Sequence, residues 1–135
     1  MSLQLSTAVR NARLDAIETT IGASAVLKVF TGSAPANCAA ADSGTTLATL
    51  SLPSDYMAAS ASGSKAKSGT WQDSAADNTG TAAHFRLYAS DGTTCHLQGT
   101  VTATGGGGDM TVDNTSFASG QEFTVTAFTL TDANA

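Results

Sequence analysis

The sequence has 135 residues, the size of one domain, and 41% of them are hydrophobic while only 13% are charged. This balance excludes the disordered class, which combines low hydrophobicity with high charge. The net charge of −5 argues against a nucleic-acid partner, because binding to a phosphate backbone requires a positive surface. A surface made of hydroxyl, amide and alanine groups repels its neighbours weakly, which suits a protein that packs beside copies of itself.

The N-terminal segment predicts a helix from about Thr7 to Ile21, with Ser6 as its N-cap and Gly22 in the left-handed position after its last turn. The apolar residues of this helix fall on two stripes at helical spacing. The first stripe consists of Leu5, Val9, Ala12 and Ala16. The second consists of Leu14, Ile17 and Ile21, with Arg10 on the same line and Arg13 in the arc between the stripes. So wide an apolar arc indicates that the helix contacts more than one surface.

After the helix the period of the apolar residues changes to two, which predicts strands over residues 25–30 and 46–52. We therefore divide the chain into an N-terminal helical segment, residues 1–24, packed on or beside a β-domain of residues 25–135. In the small-residue stretch that precedes Trp71, Lys65 and Lys67 share one strand face. We interpret them as solvated lysines that protect a sheet edge.

The clearest hairpin joins residues 83–89 to residues 93–101. A three-residue loop would pair Leu87 with Cys95 and Phe85 with Leu97, so that the apolar residues of both strands share one face. The same register predicts a polar outer face, formed by His84, Arg86 and Tyr88 with Thr94, His96 and Gln98. This face offers no third ligand for a metal, and its arginine repels a cation.

The four consecutive glycines at 105–108 predict either a pliant loop tip or a close approach of two backbones. In the last strand, predicted over 122–131, Phe123 and Val125 have one parity while Phe128 and Leu130 have the other, which predicts a bulge near Ala127. Short strands separated by frequent turns predict a mainly β fold: a single antiparallel β-sandwich, with the jelly roll as a candidate topology, and one N-terminal α-helix.

The sequence carries no motif from which we predict a catalytic, cofactor or metal site, and we expect a protein that is not an enzyme. The Ser-x-x-Lys match at Ser62–Lys65 lies in an Ala/Ser/Lys-rich stretch without its companion motifs. Cys38 and Cys95 are expected to be reduced, because they lack CxxC spacing and no secretory pattern is present. No apolar run approaches the length of a membrane span, so no membrane partner and synthesis in a cytoplasm are expected.

Four segments of the sequence carry a resemblance to a known class of protein. They are Arg10-x-x-Arg13-Leu14-Asp15-x-Ile17 with Ile21-Gly22, Val29-Phe30-Thr31-Gly32 with Pro35-Ala36, Gly80-Thr81-Ala82 with Phe85-Arg86, and Ser119-Gly120-Gln121-x-Phe123-Thr124-Val125. On these segments, which span almost the whole chain, the protein resembles small structural proteins in the virions of tailed bacteriophages and prophages.

The resemblance implies a capsid cement or decoration protein, a β-sandwich that sits in several copies on the head shell. Its expected partners are copies of itself, with a trimer favoured, and the major capsid protein or another virion protein; its expected location is the virion. Two arrangements of the helix remain open. Either the line of Arg10, Leu14, Ile17 and Ile21, with Arg13, is free for a neighbouring subunit or the shell, or both stripes are buried within the monomer.

A second hypothesis places the protein on a tail, collar or fibre as a module that binds carbohydrate or a receptor. In that hypothesis Trp71 and Tyr88 are exposed platforms on which sugar rings stack.

Overall fold

The computed structural model describes residues 3–132. Helix α1 spans Thr7–Ile21, as predicted. The Ser6 hydroxyl accepts a hydrogen bond from the Val9 amide at 3.2 Å, and the Gly22 amide donates to the Glu18 carbonyl at 2.9 Å. Gly22 has a positive φ of 85°, as expected, but its ψ of 177° places it outside the left-handed helical region. This combination of φ and ψ is one that only glycine adopts readily.

Ten strands follow within the described residues. They are β1 (Val26–Phe30), β2 (Thr46–Ser51), β3 (Ser64–Ala66), β4 (Gln72–Asp73), β5 (Gly80–Thr81), β6 (His84–Tyr88), β7 (Cys95–Ala103), β8 (Met110–Val112), β9 (Ser116–Phe117) and β10 (Phe123–Thr131). The main sheet has the order β2-β1-β6-β7-β8-β10-β3, with β4 also paired to β10, and β5 and β9 form a separate ribbon. The prediction of a mainly β fold with one N-terminal helix is confirmed.

The sheet is mixed, because β7 and β8 pair in parallel; the prediction of purely antiparallel strands is wrong here. Parallel neighbours usually need a connection of a dozen or more residues, yet only 104–109 join these two. The glycines allow the short return: a Cβ on Gly106 or Gly108 would lie 2.7 or 2.9 Å from side-chain atoms of Thr102. A Cβ on Gly106 would also lie 3.0 Å from the Ala103 carbonyl oxygen, and one on Gly108 3.0 Å from the Thr102 nitrogen, so the predicted close backbone approach is observed; the pliancy of the loop stays a prediction.

The hairpin register differs from the prediction by two residues on β7. Leu87 pairs with Leu97 and Phe85 with Gly99, and a register shift follows before Tyr88 pairs with Cys95. One residue of the difference comes from the turn, where the Ala89 amide donates to the Thr94 carbonyl and residues 90–93 form a four-residue loop in which the Asp91 carboxylate accepts the amides of Thr93 and Thr94. The other comes from the register shift, which leaves His96 without a partner between Cys95 and Leu97. The parity of the strands survives the shift, since Phe85 and Leu87 still face the core.

The predicted polar outer face of β6 is buried, because the loop of residues 31–45 covers it. Arg86, 1% exposed, forms an ion pair with Asp42 and donates to the carbonyls of Cys38 at 2.9 Å and Ala40 at 3.0 Å. The Tyr88 hydroxyl also donates to Asp42. A cage of carbonyl and carboxylate oxygens thus makes a buried guanidinium tolerable.

Trp71 lies in the centre of one continuous core, with its indole N–H donating to the carbonyls of Tyr56 and Ser68, both at 3.2 Å. Its ring contacts Phe128 of β10, and Phe128 in turn meets Phe85 of β6 at a centroid distance of 5.5 Å. The bulge predicted near Ala127 is confirmed by the register shift between Val125 and Ala127, which turns Phe128 towards this core.

Candidate functional site

The helix residues predicted to form an assembly interface face the protein's own sheet. Leu14 and Ile21 are only 2% and 4% exposed, so the expectation that this line is free for a neighbour is wrong for them. Arg10 donates to the Asp132 carbonyl at 3.2 Å, and Arg13 forms an ion pair with the Asp132 carboxylate at 3.1 Å. Arg13 is exposed and Arg10 and Ile17 are half-buried; Arg13 and Ile17 both line two surface cavities.

Lys65 explains which face of α1 turns inward. Its ammonium group is buried, against the prediction of a solvated edge lysine, and lies 2.8 Å from both the Asp15 and Glu18 carboxylates of α1. Burial alone would lower the pKa of Lys65, but its hydrogen bonds to Asp15 and Glu18 outweigh burial and raise the pKa. The acidic side of α1 is therefore held on β3, and three residues of the first apolar stripe, Val9, Ala12 and Ala16, are exposed, Val9 by 45%.

The predicted recognition residues Trp71 and Tyr88 are not on the surface. Both are buried, Trp71 between Tyr56 and Phe128 and Tyr88 beneath the loop of residues 31–45. The prediction of exposed stacking platforms is wrong because each ring is needed to fill the fold. In the part of the chain that the structure describes, every Phe, Tyr and Trp side chain is buried.

The opening that the sequence did not reveal lies between β7 and β10. Strand β8 separates them only where it pairs with Val101–Ala103 and with residues 125–128. Beyond Met110 no strand of the described chain lies between residues 95–99 of β7 and residues 129–131 of β10. We call this opening the slot; it is a cavity of about 420 Å³. Its lining consists of Phe85, Leu97, Gln98, Asp109, Phe128, Thr129, Leu130 and Thr131.

The main chain on the β7 side of the slot presents its polar groups to the opening. The amide of Val101 donates to the Ala83 carbonyl beside β6, whereas the Thr100 amide points the other way and is capped by the Asp109 carboxylate at 2.9 Å. Because strand residues alternate in direction, the amides and carbonyls of His96 and Gln98 point into the slot.

The β10 side shows the same alternation. The Phe128 carbonyl accepts from Lys67 and the Asp132 amide donates to Gly63, so even-numbered residues bond towards β3. The main-chain groups of Thr129 and Thr131 therefore point into the slot. Two strand edges without strand partners face each other there, a combination that proteins usually avoid by covering or charging an edge.

The floor of the slot is apolar. Phe85 and Phe128 meet beneath it, and the half-buried Leu97 and Leu130 lie at its sides against the core. Of the residues that line this cavity only Asp109 is charged, and its carboxylate is engaged by Thr100. The slot is thus suited to an uncharged, partly apolar segment and poorly suited to an ionic ligand.

Helix α1 extends this apolar surface at the end of the slot where Thr131 lies. One cavity shares Thr131 with the slot and is also lined by Leu14 and Ile17; another, of about 240 Å³, lies between Ile17 and His96. Three of the residues proposed from the sequence, Arg13, Leu14 and Ile17, therefore line a cavity that adjoins the slot. The sequence did not predict the slot, because the slot exists only where β8 is too short to separate β7 from β10.

The remaining reactive groups of residues 3–132 form no metal-binding cluster, and the Cys95 thiol is a weak nucleophile. No three His, Cys, Asp or Glu side chains among residues 3–132 lie close enough together to hold a metal ion. Cys38 and Cys95 are free thiols; burial, aided by a hydrogen bond with Cys38, raises the pKa of the Cys95 thiol to about 11. A group this basic is almost fully protonated at neutral pH and is a poor nucleophile.

Within residues 3–132, no helix has the length and apolarity needed to cross a membrane. The sequence matches no known protein family, no curated protein and no solved structure.

Proposed function

We propose that this protein is a non-enzymatic structural component of a tailed-bacteriophage virion, a cement or decoration protein of the head shell. It stabilises the shell by contacts among its own copies, arranged as a trimer, and with the major capsid protein. The sequence resemblance supplies the virion context, and the slot supplies the means of association. Synthesis in the host cytoplasm and assembly into the virion are part of the same proposal.

The observation that carries the proposal is the slot. It offers main-chain donors and acceptors from two strands above an apolar floor, which is the requirement for adding a strand from another chain. Strand addition gives affinity through main-chain hydrogen bonds and specificity through side-chain pockets, without a charged surface. That mode of binding fits a chain in which only 13% of residues are charged.

We further infer that the bent sheet forms the two layers of a β-sandwich. Phe85 of β6 and Phe128 of β10 are in ring contact although β7 and β8 separate their strands in the sheet order. Such a contact requires the sheet to bend so that β6 and β10 face each other, and the slot is then the open seam between the layers. The carbohydrate-binding alternative has no comparable support, since its stacking residues Trp71 and Tyr88 are buried.

Co-sedimentation with head shells that lack the protein, prepared from the phage or prophage that encodes it, tests the proposal. The wild type is expected to bind at saturating, stoichiometric occupancy. Thr129→Arg, which places a long cation at the mouth of the slot, is expected to abolish binding. Ser51→Arg, an exposed strand residue on β2, is the matched control and should bind as the wild type does. A wild-type protein that stays in the supernatant and is monomeric at all concentrations would contradict the proposal.

A further inference from the structure

We infer that Cys38 and Cys95 form a disulfide bond within one chain when the protein meets a small disulfide oxidant, the class to which oxidised glutathione belongs. In the structure both cysteines are free thiols. The bond joins the loop of residues 31–45 to strand β7 and is a modification of the chain itself. It goes beyond the proposed function and does not depend on it, because it requires no second protein molecule.

The two thiols meet on the face of the sheet that this loop covers. Cys95 of β7 pairs with Tyr88 of β6, so the two side chains share a face, and the Tyr88 hydroxyl donates to Asp42 of the loop. From the loop, the Cys38 carbonyl accepts a hydrogen bond from Arg86, which faces the same way two residues before Tyr88. The Cys38 and Cys95 side chains are hydrogen-bonded to each other. Two thiols in contact are the arrangement from which a disulfide closes.

The loop contributes nothing to the buried core. Residues 31–45 all belong to the described chain; each is exposed or half-buried, and none is part of the core cluster. Polar contacts hold the loop on the sheet, among them the ion pair of Asp42 with Arg86 and the hydrogen bond from the Gln98 side chain to the Pro35 carbonyl at 2.7 Å. Segments with few buried apolar contacts open at a low cost in free energy. A covalent bond to β7 therefore restrains a segment that is expected to open before the core does.

The reaction is a thiol–disulfide exchange in two steps. The Cys38 thiolate attacks one sulfur of the oxidant, whose S–S bond breaks; one thiolate leaves, and a mixed disulfide remains on Cys38. Cys95 then gives up its proton and attacks the Cys38 sulfur, which expels the second thiolate and closes the protein disulfide. Two electrons pass from the protein to the oxidant, and the two released thiolates take up the two protons that the cysteines lost. Cys95 attacks second because burial raises its pKa to about 11 and makes it a weak nucleophile, and its contact with Cys38 offsets this weakness.

The bond stabilises the protein mainly by restricting the unfolded chain. The two cysteines are about 57 positions apart, and closing a loop of that length should raise the melting temperature of a 135-residue chain by about 5–15 °C. The native loop is restrained as well. The Ala40 amide, which donates to the Asn37 carbonyl at 3.1 Å, should therefore gain protection from hydrogen exchange in the oxidised protein.

Peptide mapping after oxidation tests the inference on the wild-type protein. The reduced, folded protein is treated at high dilution with oxidised glutathione, the remaining thiols are alkylated, and the chain is cleaved after Lys and Arg. This cleavage places the two cysteines in separate peptides, 29–65 and 87–135. The expected product is the linked pair of peptides, from a single chain whose mass is lower by two hydrogen atoms. The melting temperature of the oxidised protein should be higher by about 5–15 °C and should return to the starting value when dithiothreitol reduces the bond.

The matched control is a protein with both Cys95→Ser and His96→Cys, whose folding is verified by circular dichroism. It moves the thiol one residue along β7, to a position that lines a cavity with Ile17 of α1. This variant should carry glutathione on its thiols and give no linked peptides. The inference is overturned if the wild type gives only glutathione adducts, links only between chains, links no more than the control does, or links without a rise in melting temperature. Shell binding is measured on the reduced protein, so the proposed function stands or falls separately.

Discussion

Substitution of Arg86 by Met should weaken the fold substantially without changing its topology. The guanidinium is 1% exposed and holds the loop of residues 31–45 through Asp42 and the carbonyls of Asn37, Cys38 and Ala40. Removing one partner of a buried ion pair costs about 3–5 kcal/mol. Here the loss is smaller, about 2–4 kcal/mol, because the Asp42 side chain is 41% exposed and regains water, and methionine retains part of the packing. For 135 residues the entropy of unfolding is about 0.28 kcal/mol/K, so the melting temperature should fall by about 7–14 °C.

Thermal and urea unfolding followed by far-UV circular dichroism measure this loss, and amide hydrogen exchange locates it. Protection should fall first in the loop, where the Thr45 amide donates to the Thr31 hydroxyl. Arg13→Met is the matched control: the Arg13 side chain is 60% exposed, and its ion pair with Asp132 should be worth less than about 1 kcal/mol. If Arg86→Met lowers the melting temperature no more than Arg13→Met does, the buried guanidinium does not hold the loop and the reasoning fails.

Two further predictions concern titratable groups. In Asp42, burial raises the carboxyl pKa but the hydrogen bonds from Tyr88 and Arg86 outweigh it, and in Asp15 the hydrogen bond from Lys65 lowers the pKa, so both lie below 3.8. The two ionised carboxylates therefore stabilise the fold above about pH 4, and this stabilisation is lost as the pH falls through their folded-state pKa values. The urea midpoint of unfolding should fall between pH 6 and pH 2, and it should fall less steeply in Lys65→Met than in the wild type. Midpoint curves that run parallel in the two proteins would contradict the assignment. With its pKa near 11, the Cys95 thiol should react with iodoacetamide at pH 8 about a hundredfold more slowly than an unperturbed thiol, and a rate equal to that of glutathione would refute its burial.

Local signals in the sequence predicted the elements that depend on neighbouring residues. Periodicity and the capping residues Ser6 and Gly22 gave the correct bounds of α1, and the change of parity between Val125 and Phe128 located the bulge in β10. Each of these features is determined within a few residues along the chain, so no knowledge of the tertiary structure is needed.

Features that depend on distant segments were predicted incorrectly. The prediction that Arg86 and Lys65 face solvent is wrong because strand alternation cannot show which distant segment covers a strand. Arg86 is covered by a loop whose Asp42 lies 44 residues away, and Lys65 by a helix whose Asp15 lies 50 residues away. The two helix stripes were identified correctly, but which one faces inward is decided by Lys65 on β3. For the candidate site, the sequence supplied Ile17 and Arg13 and the inward parity of Leu97 and Leu130; the slot between them depends on where β8 begins.

The open slot stands out because the other edges of the same sheet are covered. Along β2, the Thr49 amide is bound by the Asp73 carboxylate, the Leu47 carbonyl by the Asp77 amide and the Thr46 carbonyl by the Asn78 side chain. Along β3, the Ala66 carbonyl accepts the Ala58 amide. A chain with so few charges cannot rely on repulsion to prevent unwanted strand pairing, and it covers these edges with its own loops instead. Between β7 and β10 only Thr100 is covered, by Asp109, in the part of the chain that the structure describes. Protection of the outer edges together with an open position inside the sheet favours pairing at that one place, which is the selectivity that an ordered assembly requires.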